Sequence, residues 1–153
     1  MRYEFEDLVA GAASGEVDDV VVQRNDGTPA YNLAVVVDDH EQGIDQVVRA
    51  DDLVSSTPSQ LHIATLLGYA VPEFWHVPLV LGPEGKRLAK RDGAVTLADR
   101  RELGESAADV LSILAVSCAL AEPGEPVTAE GLIPRFAERS PTDLATIPQA
   151  LEI

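Results

Sequence analysis

The feature that most constrains the fold is an apolar segment, a capped helix and a second apolar segment in direct succession. "IDQVVRA" reads as a strand ending in Arg49 and Ala50. "STPSQLHIATLLGY" carries a helix start: Thr57 as N-cap, Pro58 at the first position and Gln60 three residues after the cap. Leu61, Ala64, Thr65 and Gly68 follow at helical spacing, and Gly68 can close the helix. "FWHVPLVLG" is then a buried strand or extended segment, ended by a Gly-Pro turn. Upstream, Val20 to Gln23 reads as a short strand before a turn at Asn25-Asp26-Gly27. The valines of "PAYNLAVVVDDHEQG" suit a strand, but Leu33, Val36, Val37 and His40 share a helical face. Pro29 suits a first turn and Gly43 the residue past the end, so a helix is expected there. Downstream, Ser106 to Ala121 reads as a helix with Ser106 and Asp109 as a cap pair, and Thr128 to Glu138 as another. Strands separated by helices predict an α/β arrangement with a helical C-terminal part.

Length and charge narrow the class. The chain has 153 residues, 46% of them apolar, enough for one buried core. No run reaches the roughly 18 apolar residues of a membrane helix. "MRYEFEDLVAG" carries acids where a secretory signal carries cations. One cysteine, Cys118, excludes an internal disulfide and a cysteine-rich zinc site. A cytoplasmic location is the simplest expectation. A formal charge of −15 argues against a broad grip on nucleic acid but not against a local one. Only Arg2, Arg24 and Arg49 precede residue 86, whereas Lys86, Arg87, Lys90, Arg91, Arg100 and Arg101 follow within a short span. The charge is patterned toward one place.

That place is "GKRLAKRDGA", residues 85–94. Its bounding glycines let the backbone bend, and Lys86, Arg87, Lys90 and Arg91 can surround a polyanion, Lys90 as a mobile point charge. The competing reading is a solvated surface turn; the sequence is not a Walker A loop. Asp38, Asp39, His40 and Glu41 invite a metal-site reading, but neighbours on a helix point in different directions, so capping and surface charge are the better account. The Tyr31 phenol can donate to a ligand carboxylate; otherwise Tyr31 is an ordinary core tyrosine. Arg49, at the end of an apolar strand, stands where α/β sheets place ligand groups, and its guanidinium can hold a carboxylate bidentately. A structural pair with Asp51 or Asp52 is the even alternative. "HIAT" (62–65) lies inside the capped helix and reads as packing. Trp75 and His76 read as core residues, and Cys118 as a buried small hydrophobe in mid-helix.

"RNDGTPAYNLAVVVDDHEQGIDQVVRADDLVSSTPSQLHIATLLGY" followed by "PEFWHVPLVLGPEGKRLAKRDGAVTL" closely resembles the class I glutamyl-tRNA synthetases. It is most similar to their truncated paralogues, the glutamyl-queuosine tRNA(Asp) synthetases. The resemblance runs from about Val17 to about Leu97, and more loosely through the C-terminal helices. "EFEDLVAGAASGEVDD" also fits, where the family's catalytic domain resumes after an insertion. It implies the C-terminal part of a Rossmann-like catalytic domain over residues 1–97, followed by a small helical region over 98–153. It also implies ATP, with Mg2+, as the activating nucleotide, glutamate as the amino acid and tRNA, above all tRNA(Asp), as the acceptor in a tRNA modification. By position, "RLAKR" matches the KMSKS-type signature. Lys90 is then the lysine that stabilises the ATP phosphates and Arg87 its charged support, with Leu88 among the ATP contacts. Ala89 stands where the family has serine and lacks that hydroxyl. Tyr31 and Arg49 match the residues that hold glutamate, and Asp52 an acidic residue near the nucleotide.

The family's HIGH signature, the N-terminal group that accepts the amino group and the zinc-site cysteines have no counterpart here, so no zinc site is expected. The chain accordingly resembles the C-terminal half of a catalytic domain: a fragment, a truncated product or half of a split enzyme. Half a Rossmann sheet leaves an open edge and an unfilled crevice, so weak or no adenylation by this chain alone is expected. Its partner would be the missing N-terminal half or a second copy. A non-catalytic binding or subunit module, and a fragment of a true glutamyl-tRNA synthetase, are the alternatives.

Overall fold

The computed structural model describes residues 1–79, 81, 96–140 and 143. It divides into two compact units, Met1–Val77 and Pro78–Ile153.

The first unit is a mixed α/β layer. β1 (Arg2–Asp7) and β2 (Gly11–Glu16) form an antiparallel hairpin that the sequence reading did not anticipate. The hairpin loop is closed by Asp7, whose Oδ1 accepts from the backbone N–H groups of Val9 (3.0 Å) and Ala10 (2.7 Å). The expected strand Val20–Gln23 is instead an open loop with one isolated bridge, Gln23 to Pro29. Val21 and Val22 are exposed because no strand flanks them, and the segment folds back on itself through Ala30 N–H to the Val22 carbonyl (2.9 Å). The turn at Asn25-Asp26-Gly27 forms, with Gly27 at φ 84°.

α1 (Tyr31–Gln42) confirms the helical choice for "YNLAVVVDDHEQ". Ala30 is its N-cap, so Pro29 lies just outside, and Gly43 closes it in the left-handed conformation. β3 (Gln46–Ala50) follows, then a 3-10 turn (Asp51–Ser56), α2 (Thr57–Leu67) and β4 (Glu73–Val77). β3 and β4 are parallel, from Gln46 opposite Glu73 to Ala50 opposite Val77, and β4 meets β1 in parallel at Asp7 and Phe74. The sheet order is β2-β1-β4-β3. Among the described residues β3 is an edge, and Val48 on it is 58% exposed. The buried apolar residues of this unit are Leu61, Ile63 and Ala64 on α2 together with Val9, Val17 and Phe74.

The capping box expected at Thr57 and Gln60 does not form. The 3-10 turn runs straight into α2, and Thr57 N–H already donates to the Val54 carbonyl. With the helix start satisfied by backbone, both polar side chains are released for another task.

The second unit contains α3 (Leu97–Glu102), α4 (Ala107–Ser117) and α5 (Ala129–Ala137). Thr96–Asp99 and Ser106–Asp109 are complete capping boxes, and Thr128 caps α5. α4 stops short of the expected Ala121: Cys118 is its C-cap and Ala119 turns left-handed at φ 53°. Cys118 is thus half-buried at a helix end rather than in mid-helix. Arg100, counted in the sequence among the cations that follow residue 86, is 9% exposed and pairs with Glu105 at 2.6 Å. Among the described residues no helix is long and apolar enough to cross a membrane.

Candidate functional site

The carboxyl ends of three parallel strands converge on one buried polar cluster. β1 ends in Asp7, β3 carries Arg49 next to its last residue, and β4 carries His76 next to its last residue. Arg49 and His76 are direct partners across the parallel pair, so their side chains leave the sheet on the same face.

Arg49 is held on several sides. Its Nε donates to His76 Nε2 (2.8 Å), Nη1 to Gln60 Oε1 (2.8 Å), and Nη2 to Thr57 Oγ1 (2.8 Å) and the Leu53 carbonyl (3.5 Å). Gln60 in turn donates to Asn32 Oδ1 on α1 (3.1 Å). The Phe74 ring lies under the guanidinium at 5.2 Å. Every one of these protein acceptors is neutral. Among the described residues Arg49 forms no ion pair, and the alternative of a pair with Asp51 or Asp52 is not what its hydrogen bonds show. Burial lowers the Arg49 pKa, and the Tyr31 phenol, Asp39 and Asp7 oppose that shift through charge and hydrogen bonding.

Behind Arg49 stands a second layer. His76 and Asp7 are each 1% exposed, and His76 Nδ1 lies 2.5 Å from Asp7 Oδ2. An arginine Nε always carries its proton, so His76 Nε2 accepts and the ring proton sits on Nδ1, donating to Asp7. Burial works to raise the Asp7 pKa, but N–H donation from Ala10, the His76 ring, His76 N–H and Val9 outweighs it and holds the carboxyl below its ordinary value. The sequence reading treated His76 as core. It is buried, yet its ring touches the partly buried guanidinium of Arg49, a role that residue type and spacing do not signal.

Tyr31, at the first position of α1, is 56% exposed, which rules out a core tyrosine. Asp39 is turned inward rather than being plain surface charge: burial raises its pKa, and Arg49 opposes the rise. His40 stacks on Tyr69 at 3.7 Å. Asp52 lies in the first turn of the 3-10 segment after Arg49. His62 of "HIAT" bonds the Tyr3 hydroxyl at 2.9 Å while Ile63 and Ala64 are buried, in line with packing. Lys86, Arg87, Leu88, Lys90 and Arg91 lie outside the described residues.

A cavity of about 340 Å³ lies between α1 and α2, lined by Val36, Asp39, Leu61, Ala64 and Phe74 among others. It also borders Gly43 to Asp45 and Ala70 to Pro72, which precede β3 and β4. It therefore reaches the amino ends of the strands, whereas ligands of open α/β sheets sit at the carboxyl ends, where Arg49 is.

A parallel-sheet site of this kind, built around a cation that forms no ion pair among the described residues, meets a family match over almost the whole chain: residues 1–146 fit the catalytic domain of class I tRNA synthetases (E and Q). The chain belongs to that family. Among the relatives of this class I synthetase chain, a glutamyl-Q tRNA(Asp) synthetase from Nocardia farcinica is 60% identical over 118 residues, covering 77% of the chain and 38% of the relative. A glutamate–tRNA ligase from Nitrosomonas europaea is 50% identical over 103 residues, covering 65% of the chain and 22% of the relative. In three dimensions the glutamate-tRNA synthetase of Elizabethkingia anophelis matches 98% of the chain with a TM-score of 0.72 at 25% identity, and 34% of its own length is covered. The class I synthetase chain thus spans less than half the length of the proteins it matches.

Proposed function

We propose that the chain contributes one side of the active site of an ATP-dependent glutamyl transferase, activating glutamate and passing it to tRNA, most directly to queuosine in tRNA(Asp). One observation carries this reading: a partly buried guanidinium at the strand ends, fixed by neutral acceptors and lacking a carboxylate partner among the described residues. Such a group is a preformed receptor for a ligand carboxylate. Arg49 and Tyr31 would orient glutamate. The α-carboxylate of glutamate, as distinct from the carboxylate held by Arg49, would then attack the α-phosphate of Mg2+-bound ATP, forming glutamyl-adenylate and releasing pyrophosphate. Lys90, supported by Arg87, would offset charge on the separating phosphates, and Asp52 and Leu88 would border the nucleotide. The similarity to a glutamyl-Q tRNA(Asp) synthetase supports the acceptor.

The share of relatives that the chain covers supports an incomplete site, so the chain alone would show weak or no adenylation. The test is glutamate-dependent ATP–pyrophosphate exchange, run on the chain by itself and combined with the N-terminal portion of the Nocardia relative. Exchange is expected in the combination and lost by about a hundredfold or more with Lys90→Ala at unchanged folding. Robust exchange by the chain alone would remove the half-site reading. No exchange in the combination, or none lost with Lys90→Ala, would remove the catalytic one. Charging of tRNA(Asp) with and without queuosine separates the two synthetase activities.

A non-catalytic subunit module is the second reading, favoured by the β3 edge, which is unpaired among the described residues, and by exposed Val48. Glutamate-independent association with a partner chain would support it.

A further inference from the structure

The charge of Arg49 is explained by a carboxylate ligand; its orientation is not. A free arginine side chain has several rotamers, and five N–H groups that can turn toward many acceptors. Here one ring nitrogen decides the matter. We propose that Asp7 and His76 are positioning residues: the buried Asp7 carboxylate selects the His76 tautomer whose Nε2 accepts from Arg49, and so aims the guanidinium at the glutamate carboxylate. The inference rests on the reading of Arg49 as the carboxylate receptor.

The geometry of Asp7 makes the selection strict. Its Oδ1 accepts from Val9 N–H (3.0 Å), Ala10 N–H (2.7 Å) and His76 backbone N–H (3.1 Å), whereas Oδ2 faces His76 Nδ1 (2.5 Å) and lies 3.2 Å from that same backbone nitrogen. Oδ1 thus carries most of the backbone donors, and Oδ2 is the oxygen that meets the ring. In Asp7→Asn the amide oxygen is retained by the backbone donors, which turns the NH2 group toward His76 Nδ1. That nitrogen must then accept, the ring proton moves to Nε2, and Nε2 confronts Arg49 Nε–H donor to donor. Loss of the right tautomer with the geometry intact is a recognised way for a buried Asp-to-Asn change to disable a site. What is lost is the acceptor of Arg49 Nε–H: Thr57 Oγ1 and the Gln60 carbonyl are directed at Nη2 and Nη1, each at 2.8 Å, and Thr57 Oγ1 is 3.4 Å from His76 Nε2.

Coulomb's law alone predicts the opposite result. Asp7 is an acid acting on Arg49 through space, so neutralising it should tighten an anionic ligand. The sign of the effect therefore separates positioning from general electrostatics. His76→Gln supplies a control, because its side-chain carbonyl can accept from Arg49 Nε and has no tautomer for Asp7 to select.

The experiment is a double-mutant cycle on glutamate binding by the full chain, measured calorimetrically with and without ATP. Asp7→Asn is expected to weaken binding about tenfold or more, as loss of a hydrogen bond to a charged group does. His76→Gln should stay within about threefold of wild type, and Asp7→Asn should add little in the His76→Gln background. Tightening or no change with Asp7→Asn, or an equal loss in both backgrounds, would overturn the inference. Nitrogen NMR of the wild-type imidazoles near neutral pH, with the His76 signals assigned by their loss in His76→Gln, keeps a second arm independent of binding and of whether Asp7→Asn folds. Protonated Nδ1 and bare Nε2 are expected, and a protonated Nε2 would overturn the proposal. If the wild type binds no glutamate, the functional reading falls while the NMR arm still judges the Asp7–His76–Arg49 chain.

Discussion

At the scale of single residues, the chemistry is concentrated in side chains whose ordinary structural uses have been taken over. Thr57 and Gln60 have the identities and spacing of a helix cap, but a backbone hydrogen bond satisfies the helix start and both side chains hold Arg49 instead. Residue type and spacing therefore pointed to the right positions for the wrong reason. Gln60 offers a sharp test, since it is the neutral acceptor on Arg49 Nη1 at 2.8 Å. Gln60→Glu would place a carboxylate where the ligand's charge is needed. The expected outcome is a glutamate affinity lowered about tenfold or more. The thermal midpoint should be unchanged or higher, because a partner is added to a cation that burial disfavours. Calorimetric titration and thermal unfolding of the same sample check both halves.

At the scale of elements, the β3–α2–β4 unit was legible because its apolar strands and its Gly68 stop signal agree with one another. The β1–β2 hairpin was not. "GAASGE" has none of the β-branched or aromatic residues that mark a strand, and the structure gives the reason. Gly15 packs against the start of α2 so closely that an added Cβ would lie 2.7 Å from Pro58 Cγ. At Gly15 contact with a helix distant in sequence requires a small residue, at the expense of strand propensity. Gly15→Ala is accordingly expected to destabilise the chain by about 1–3 kcal/mol, since the rigid, buried Pro58 ring has little room to move. Denaturant unfolding of the variant measures this, and a change below about 0.5 kcal/mol would mean that the strand shifts freely. In the second unit the capping pairs were readable because they are local: Ser106 and Asp109 close their box within four residues. The end of α4 was misplaced by four residues because Ala119 adopts a left-handed conformation that its side chain does not advertise.

At the scale of the whole molecule, a formal charge of −15 sets the background for every local interaction. Self-repulsion among so many acids opposes the compact state, and the described ion pairs away from His76 and Arg100 are exposed enough to contribute little. Stability should therefore rise with ionic strength: the thermal midpoint is expected to increase between about 10 mM and 200 mM salt, as the screening length shortens. A falling midpoint would show that attractive pairs dominate. The sequence by itself determined the α/β class and the strand–helix–strand unit around Arg49, because periodicity and helix stops are written in neighbouring residues, while the resemblance of its motifs pointed to the family and to the ligand roles expected of Tyr31 and Arg49. Only the tertiary structure decided what surrounds Arg49. Asp7 and His76 are 69 residues apart, and Arg49 and His76 are 27 apart. Their partnership exists only because parallel pairing brings three strand ends together, and no local pattern can encode which buried nitrogen will face which donor.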